Sequence, residues 1–180
     1  MPTQARERLL RAAEELFYAE GIRAVGVERL LTVSGVGRAS FYRHFDGKDD
    51  LVVATIRSYS AHRLAWLREA VAAADGDPLA AFDALAASFG APDYRGCASI
   101  NAMVEAADPA SAAHLAAADH KIALTTFLRD RLTARGHTDP GLAEKLVLLL
   151  DGATVTALRE RSARPARQAR ELAELMLARA

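Results

Sequence analysis

The chain has a single cysteine, Cys97, and that scarcity excludes an intrachain disulfide framework and any cluster of closely spaced thiols around a metal. Long apolar runs are also missing. No stretch approaches about 18 uncharged apolar residues, and Met1 to Arg11 lacks the apolar centre of a signal peptide. Both absences predict a cytoplasmic protein with no membrane partner. Net charge is absent too: 23 Lys and Arg balance 23 Asp and Glu over 180 residues, so bulk charge does not announce a polyanionic partner. Catalytic signatures are missing as well. There is no His-Glu-x-x-His, no Gly-x-Ser-x-Gly, no phosphate-cradling glycine loop and no paired-carboxylate pattern. The five histidines, His44, His62, His114, His120 and His137, are scattered. The expectation is therefore no enzyme, no catalytic residue, no metal and no cofactor.

What is present is a foldable composition, 51% apolar and 26% charged, typical of soluble globular proteins. The apolar residues recur with the helical period. Leu9, Ala12, Ala13, Leu16 and Phe17 fall on one stripe while Arg8, Arg11, Glu14 and Glu15 fall off it, which predicts a helix over 4–20 ended by Gly21. Further helices are predicted over 27–33, 38–45 and 48–74, from Pro78 to Phe89, over 96–107, 110–135 and 142–161, and from Pro165 onward. No alternating β-branched stretch competes, so the fold class is all-α.

The stretch SGVGRASFYRHFDGK, Ser34 to Lys48, concentrates aromatic and basic residues in a chain that is only 6% aromatic. Two short helices joined by Ser34-Gly35-Val36-Gly37 form a helix-turn-helix, whose second helix inserts its first residues into a DNA major groove. Val36, Phe41 and Phe45 can face inward onto Leu16, Phe17, Leu30 and Leu31. Arg38, Ala39, Ser40, Tyr42, Arg43 and His44 are then left pointing outward. Guanidinium and hydroxyl donors at a helix start match phosphate oxygens and base edges alike. The charge balance is tilted the same way: residues 1–63 hold ten Lys/Arg against eight Asp/Glu, and between Ile22 and Lys48 Arg23, Arg29, Arg38, Arg43 and Lys48 face only Glu28 and Asp46. Double-stranded DNA is the expected partner.

Leu9 to Val52 resembles the N-terminal DNA-binding domain of the TetR family of bacterial transcriptional regulators. The shared pattern is a first helix ending in Leu-Phe, a glycine, a short helix, Gly-Val, Tyr-x-His-Phe and a lysine before the next helix. The resemblance implies a helix-turn-helix domain over 1–47 and a helical ligand-binding and dimerisation domain over 48–180, linked by the long helix 48–74. It implies base-facing positions for Arg38, Ala39 and Ser40, and phosphate contacts for Tyr42, His44 and Lys48. Gly26, Val27, Gly37 and Arg43 complete the expected DNA-binding set. At Gly26, Gly37 and Gly47 relatives usually carry Ser or Thr, so a capping hydroxyl is replaced by bare backbone N–H groups. The function implied is a ligand-responsive regulator, a repressor released from a palindromic operator by a small molecule. Two reading modules must reach successive major grooves, which implies a homodimer. Its interface is expected on the helices over 110–135 and 142–161, with Leu146, Leu149 and Leu150 as apolar area and Gly152, Ala153 and Ala157 permitting close approach.

In YRGCASINAMVEAADP, Tyr94 to Pro109, the residues Cys97, Asn101 and Glu105 recur every four positions and share a helix face. They either meet a ligand or satisfy a neighbouring helix end. Cys97 is either a reactive thiol at a helix start or a small buried hydrophobe. His62, Trp66, Phe89 and Phe127 are further pocket candidates, as are Phe82, Met103, His114 and His120. Two other functions stay open at this level: a redox- or electrophile-sensing regulator acting through Cys97, and a ligand carrier or enzyme on the same fold that does not bind DNA.

Overall fold

The computed structural model describes residues 2–179. Among them all regular structure is helical, in nine segments: α1 (Pro2–Glu20), α2 (Val27–Ser34), α3 (Arg38–His44), α4 (Lys48–Ala73), α5 (Ala80–Phe89), α6 (Ala98–Ala106), α7 (Ala112–Ala134), α8 (Leu142–Glu160) and α9 (Arg164–Leu177). No helix among the described residues is long and apolar enough to cross a membrane.

The helix ends follow local backbone chemistry, and this is where the sequence expectation shifts. Helix α4 stops one residue early because Asp75 and Gly76 turn left-handed and the Gly76 N–H returns to the Val71 carbonyl at 2.9 Å. Helix α5 opens at Ala80 and not at Pro78. The Asp77 carboxylate takes the Leu79 N–H at 3.0 Å and holds those residues in a turn. Helix α6 cannot begin at Gly96, whose φ is +84°, and it ends before Ala107, whose φ is +58°. Helix α7 starts two residues late, capped by Ser111, whose Oγ accepts the His114 N–H at 3.2 Å. Arg161, at φ +54°, ends α8.

By its contacts the chain forms two compact units. The first comprises residues up to Ala61 together with Ala98–His120, and the second comprises His62–Cys97 together with the residues from Lys121 onward. From sequence a boundary is expected at 47/48; the contacts divide the chain after Ala61 and group Ala98–His120 with the first segment. In the first unit Leu9, Leu16, Phe17, Leu30, Val36, Phe41, Phe45 and Leu51 share a buried cluster with Ala102 of α6 and Ala116 and Ala117 of α7. Alanines there let two helix backbones come close to the larger side chains of α1–α4. Glu105 of α6 also reaches the turn after α1: its Oε2 accepts the Arg23 N–H at 2.9 Å, and a Cβ on Gly21 would lie 3.3 Å from the same oxygen. Buried His120 of α7 lies with Nδ1 3.0 Å from the Ser60 Oγ and its ring beside Tyr59.

The second unit packs Phe82, Phe89, Leu128, Leu146 and Leu150 at its centre. The Tyr94 hydroxyl donates to the Thr154 carbonyl at 3.0 Å, and Arg161 donates to the carbonyls of Pro92 and Tyr94, each at 2.8 Å. Lys121 and Asp151 form an ion pair between α7 and α8.

Candidate nucleic-acid interface

Helix α2 begins from Gly26, whose backbone is extended at φ −85° and ψ 164°, and ends on Gly35, left-handed at φ +62°. In the turn that follows, the Ser34 Oγ donates to the Leu31 carbonyl at 3.4 Å and accepts the Val36 N–H at 3.3 Å. Gly37 then caps α3 in extended conformation, its carbonyl accepting the Ser40 and Phe41 N–H groups at 2.9 and 3.0 Å. These bonds hold two short helices that would not be stable alone.

The 3.6-residue period then sorts α3 into two faces. Phe41 is fully buried and Phe45 nearly so, with ring centroids 6.0 Å apart. Burying one such ring contributes about 1.5–3 kcal/mol, enough to fix how the short helix is rotated. Arg38, Ala39, Tyr42 and Arg43 are exposed on the other face, and Ser40, His44 and Lys48 are half-buried at its margins. Tyr42 stands edge-on to Phe41 at 5.1 Å and 88°, so its ring is braced while more than half of the residue stays exposed. An ideal Cβ at Gly26 or Gly37 would meet nothing within 4 Å. The backbone at both helix starts is therefore open to a surface approaching from outside. Val27, beside Gly26, is half-buried and packs against the core of the unit.

The electrostatics are more structured than a count of cations suggests. Arg38 is ion-paired with Glu28 of α2, and Arg29 with Glu20 of α1 at 3.1 Å. Arg43 and Lys48 have no carboxylate partner among the described residues, which leaves their charge for other groups. Glu28 is the residue that sequence reasoning counted only as an opposing anion. It lies ten positions before Arg38, across a turn, so no helical spacing rule pairs the two.

The pocket candidates separate between the units. His62 is exposed, Trp66 and Cys97 are half-buried, and Phe89 and Phe127 are buried, all in the second unit. Trp66 carries the Arg63 guanidinium 4.0 Å above its ring, Phe127 carries that of Arg68 at 5.7 Å, and Phe89 packs on Tyr94 at 5.1 Å. Asn101 and Glu105 belong to the first unit and share a face of α6. Cys97 precedes α6, so the three-residue helical stripe expected over Cys97, Asn101 and Glu105 is reduced to two. Glu105 accepts the Arg23 N–H in the turn after α1.

A helix-turn-helix with buried aromatics behind it and arginine, tyrosine and bare glycine backbone in front defines a DNA-binding protein of the helix-turn-helix class. Residues 9–55 match the family model for bacterial regulatory proteins of the tetR family. A TetR-family transcriptional regulator from Streptomyces coelicolor is 33% identical and superposes with a TM-score of 0.89, covering 99% of this chain and 90% of that one. A TetR-type transcriptional regulator from Streptomyces avermitilis is 32% identical, with a TM-score of 0.76 and coverage of 94% and 98%. NemR from Escherichia coli in its reduced form, at 24% identity, shares the fold with a TM-score of 0.80 over 94% of this chain and 95% of its own. No curated protein matches the chain. The chain belongs to the TetR family of bacterial transcriptional regulators.

Proposed function

We propose that the protein is a dimeric repressor that reads a palindromic operator through α2 and α3 and is released when a small molecule binds its helical C-terminal part. The observation that carries this reading is the two-faced α3: Phe41 is fully buried while Arg38, Tyr42 and Arg43 are exposed on one side. On the groove floor Arg38 donates to guanine O6 and N7 and Ala39 touches a thymine methyl. Tyr42, His44 and Lys48 hold phosphates at the rim, beside the open backbone of Gly26 and Gly37.

Operator reading by two modules requires them to stand about 34–36 Å apart or a multiple of it, and a face of α8 and α9 is suited to joining two chains. Leu146, Leu150, Ala153 and Ala157 of α8, expected at the interface from sequence, are buried in the second unit's own core. The opposite face of α8 exposes Leu148, Val155 and Leu158, and α9 exposes Leu172 and Leu175. Gly152 lies along the same α8 stripe with open space where a side chain would be. We therefore propose the outward faces of α8 and α9 as the dimer interface, with α8 the helix shared with the pair expected from sequence. An effector can act only by binding the two spacings of the reading modules unequally.

Selection of bound duplexes from a random pool by the purified protein tests this reading. The expected result is an enriched palindrome with two half-sites, and Arg38→Ala should relax one base position by about 1–3 kcal/mol. If no sequence is enriched and the remaining binding fades steeply with salt, the protein does not read an operator.

A further inference from the structure

We infer that Glu28 sets the base preference of Arg38, acting as a positioning residue that aims the guanidinium at a guanine whose pair offers an amino group. The inference rests on the operator-reading function proposed above. Glu28 is the second residue of α2 and Arg38 the first of α3. The Arg38 Nη2 donates to the Glu28 Oε1, with the two side chains 59% and 73% exposed. An ion pair this exposed adds little to folding stability. Its effect is on direction: it biases a long, rotamer-rich side chain on the DNA-facing surface toward one orientation before DNA arrives.

The donor inventory shows that the pair need not break on DNA. A guanidinium has five N–H groups, and Nη2 alone carries two. One proton of Nη2 serves Glu28. The second, together with Nη1–H or Nε–H, remains for the O6 and N7 acceptors of guanine. The carboxylate meanwhile has free lone pairs and no donor. Over the groove floor it is repelled by acceptor edges such as guanine O6/N7 and thymine O4, and it is satisfied by the N4 amino group of cytosine. A G·C pair supplies two acceptors for Arg38 and one donor for Glu28. An A·T pair turned the same way presents an amino group to the arginine and an acceptor to the glutamate. The coupled pair thus discriminates where arginine alone would accept any exposed N7 or carbonyl. The same negative charge weakens binding to phosphates of every sequence, so Glu28 should lower general affinity while widening the gap between right and wrong sites.

The test uses the full chain as parent, Glu28→Gln, Glu28→Ala, Arg38→Ala and the Glu28→Gln/Arg38→Ala double variant. Dissociation constants are measured at one salt concentration for the selected operator, for each single-base change at the guanine whose preference Arg38→Ala abolishes, and for a random-sequence duplex. Glu28→Gln and Glu28→Ala should bind the random duplex several-fold tighter and lose about tenfold of the preference for guanine at that position. Other half-site positions should be unchanged. The double variant should show the same preference there as Arg38→Ala alone, because without the arginine to hold it over the groove floor the Glu28 carboxylate no longer meets the cytosine amino group. Retention of the guanine preference to within about twofold in both Glu28 variants, even with tighter random-duplex binding, would overturn the inference and leave operator reading intact. A parent that prefers no sequence overturns both.

Discussion

Replacing Gly37 by serine should stabilise the protein, and the neighbouring Gly35 supplies the opposite result. Gly37 has φ −69° and ψ 150°, a conformation open to every residue, and a Cβ there meets nothing within 4 Å. As the residue capping α3, serine can accept one of the first free N–H groups of the helix, a gain of a few tenths of a kcal/mol over glycine. Removing glycine also restricts the unfolded chain, which adds about 0.4–1 kcal/mol. The sum is about 1 kcal/mol, or about 2–4 °C in the melting temperature of a chain this long. Gly35→Ser places a side chain at φ +62° with only the Arg8 Nη1 nearby at 3.7 Å. The loss there is conformational and amounts to about 1 kcal/mol. Both variants and the parent should be unfolded by heat and by urea at one matched protein concentration, because an associating chain melts in a concentration-dependent way. A destabilised Gly37→Ser, or two glycine variants that shift in the same direction, would refute the assignment of Gly37 as a cap and Gly35 as a left-handed turn.

Lys48→Ala should weaken operator and random duplex about equally and reduce the slope of log affinity against log salt by about one; a selective loss on the operator would show that Lys48 reads sequence. Leu148→Glu, on the exposed face of α8, should shift the sedimenting species from dimer to monomer without loss of helical circular dichroism, and an unchanged dimer would move the interface off α8. Asp139 accepts the Gly141 N–H at 2.8 Å and pairs with Lys145 at 3.0 Å, and these bonds, the backbone one first, hold its carboxyl below the ordinary range. A carboxyl lowered in the folded state contributes stability above its unfolded pKa and loses it as the pH falls through the folded value. The melting temperatures of parent and Asp139→Ala should therefore differ at neutral pH and converge in acid; a gap that widens in acid would contradict the assignment.

The rotation of α3 was legible because aromatic residues four apart at 41 and 45 admit one inward face, and the burial follows that face. What glycine does was legible at the helix starts, where the caps expected at Gly26 and Gly37 are found, and not at the turns. Gly35 and Gly37 lie two residues apart, yet one turns left-handed and the other caps in extended conformation. Gly96 likewise looks like a helix start and is a turn. Apolar periodicity places Leu146 and Leu150 on one stripe of α8 but does not say whether the stripe meets the chain's own core or a second copy. The structure puts them inside and Leu148 outside. Pairings across long sequence separations were out of reach for the same reason: Glu105 takes its hydrogen bond from Arg23, 82 residues earlier.

That last bond, with the alanines of α6 and α7 in the same cluster, bears on how the reader can be transplanted. The DNA-reading body is not one continuous piece of polypeptide: its core is completed by Ala102, Ala116 and Ala117, which follow the first segment only after an excursion through a different unit. Chain surgery that grafts this reader onto another sensor has to carry both segments, residues up to Ala61 and Ala98–His120. A cut at Ala61 alone would deliver a reader with one wall of its core open to water and the Arg23 amide stripped of its acceptor.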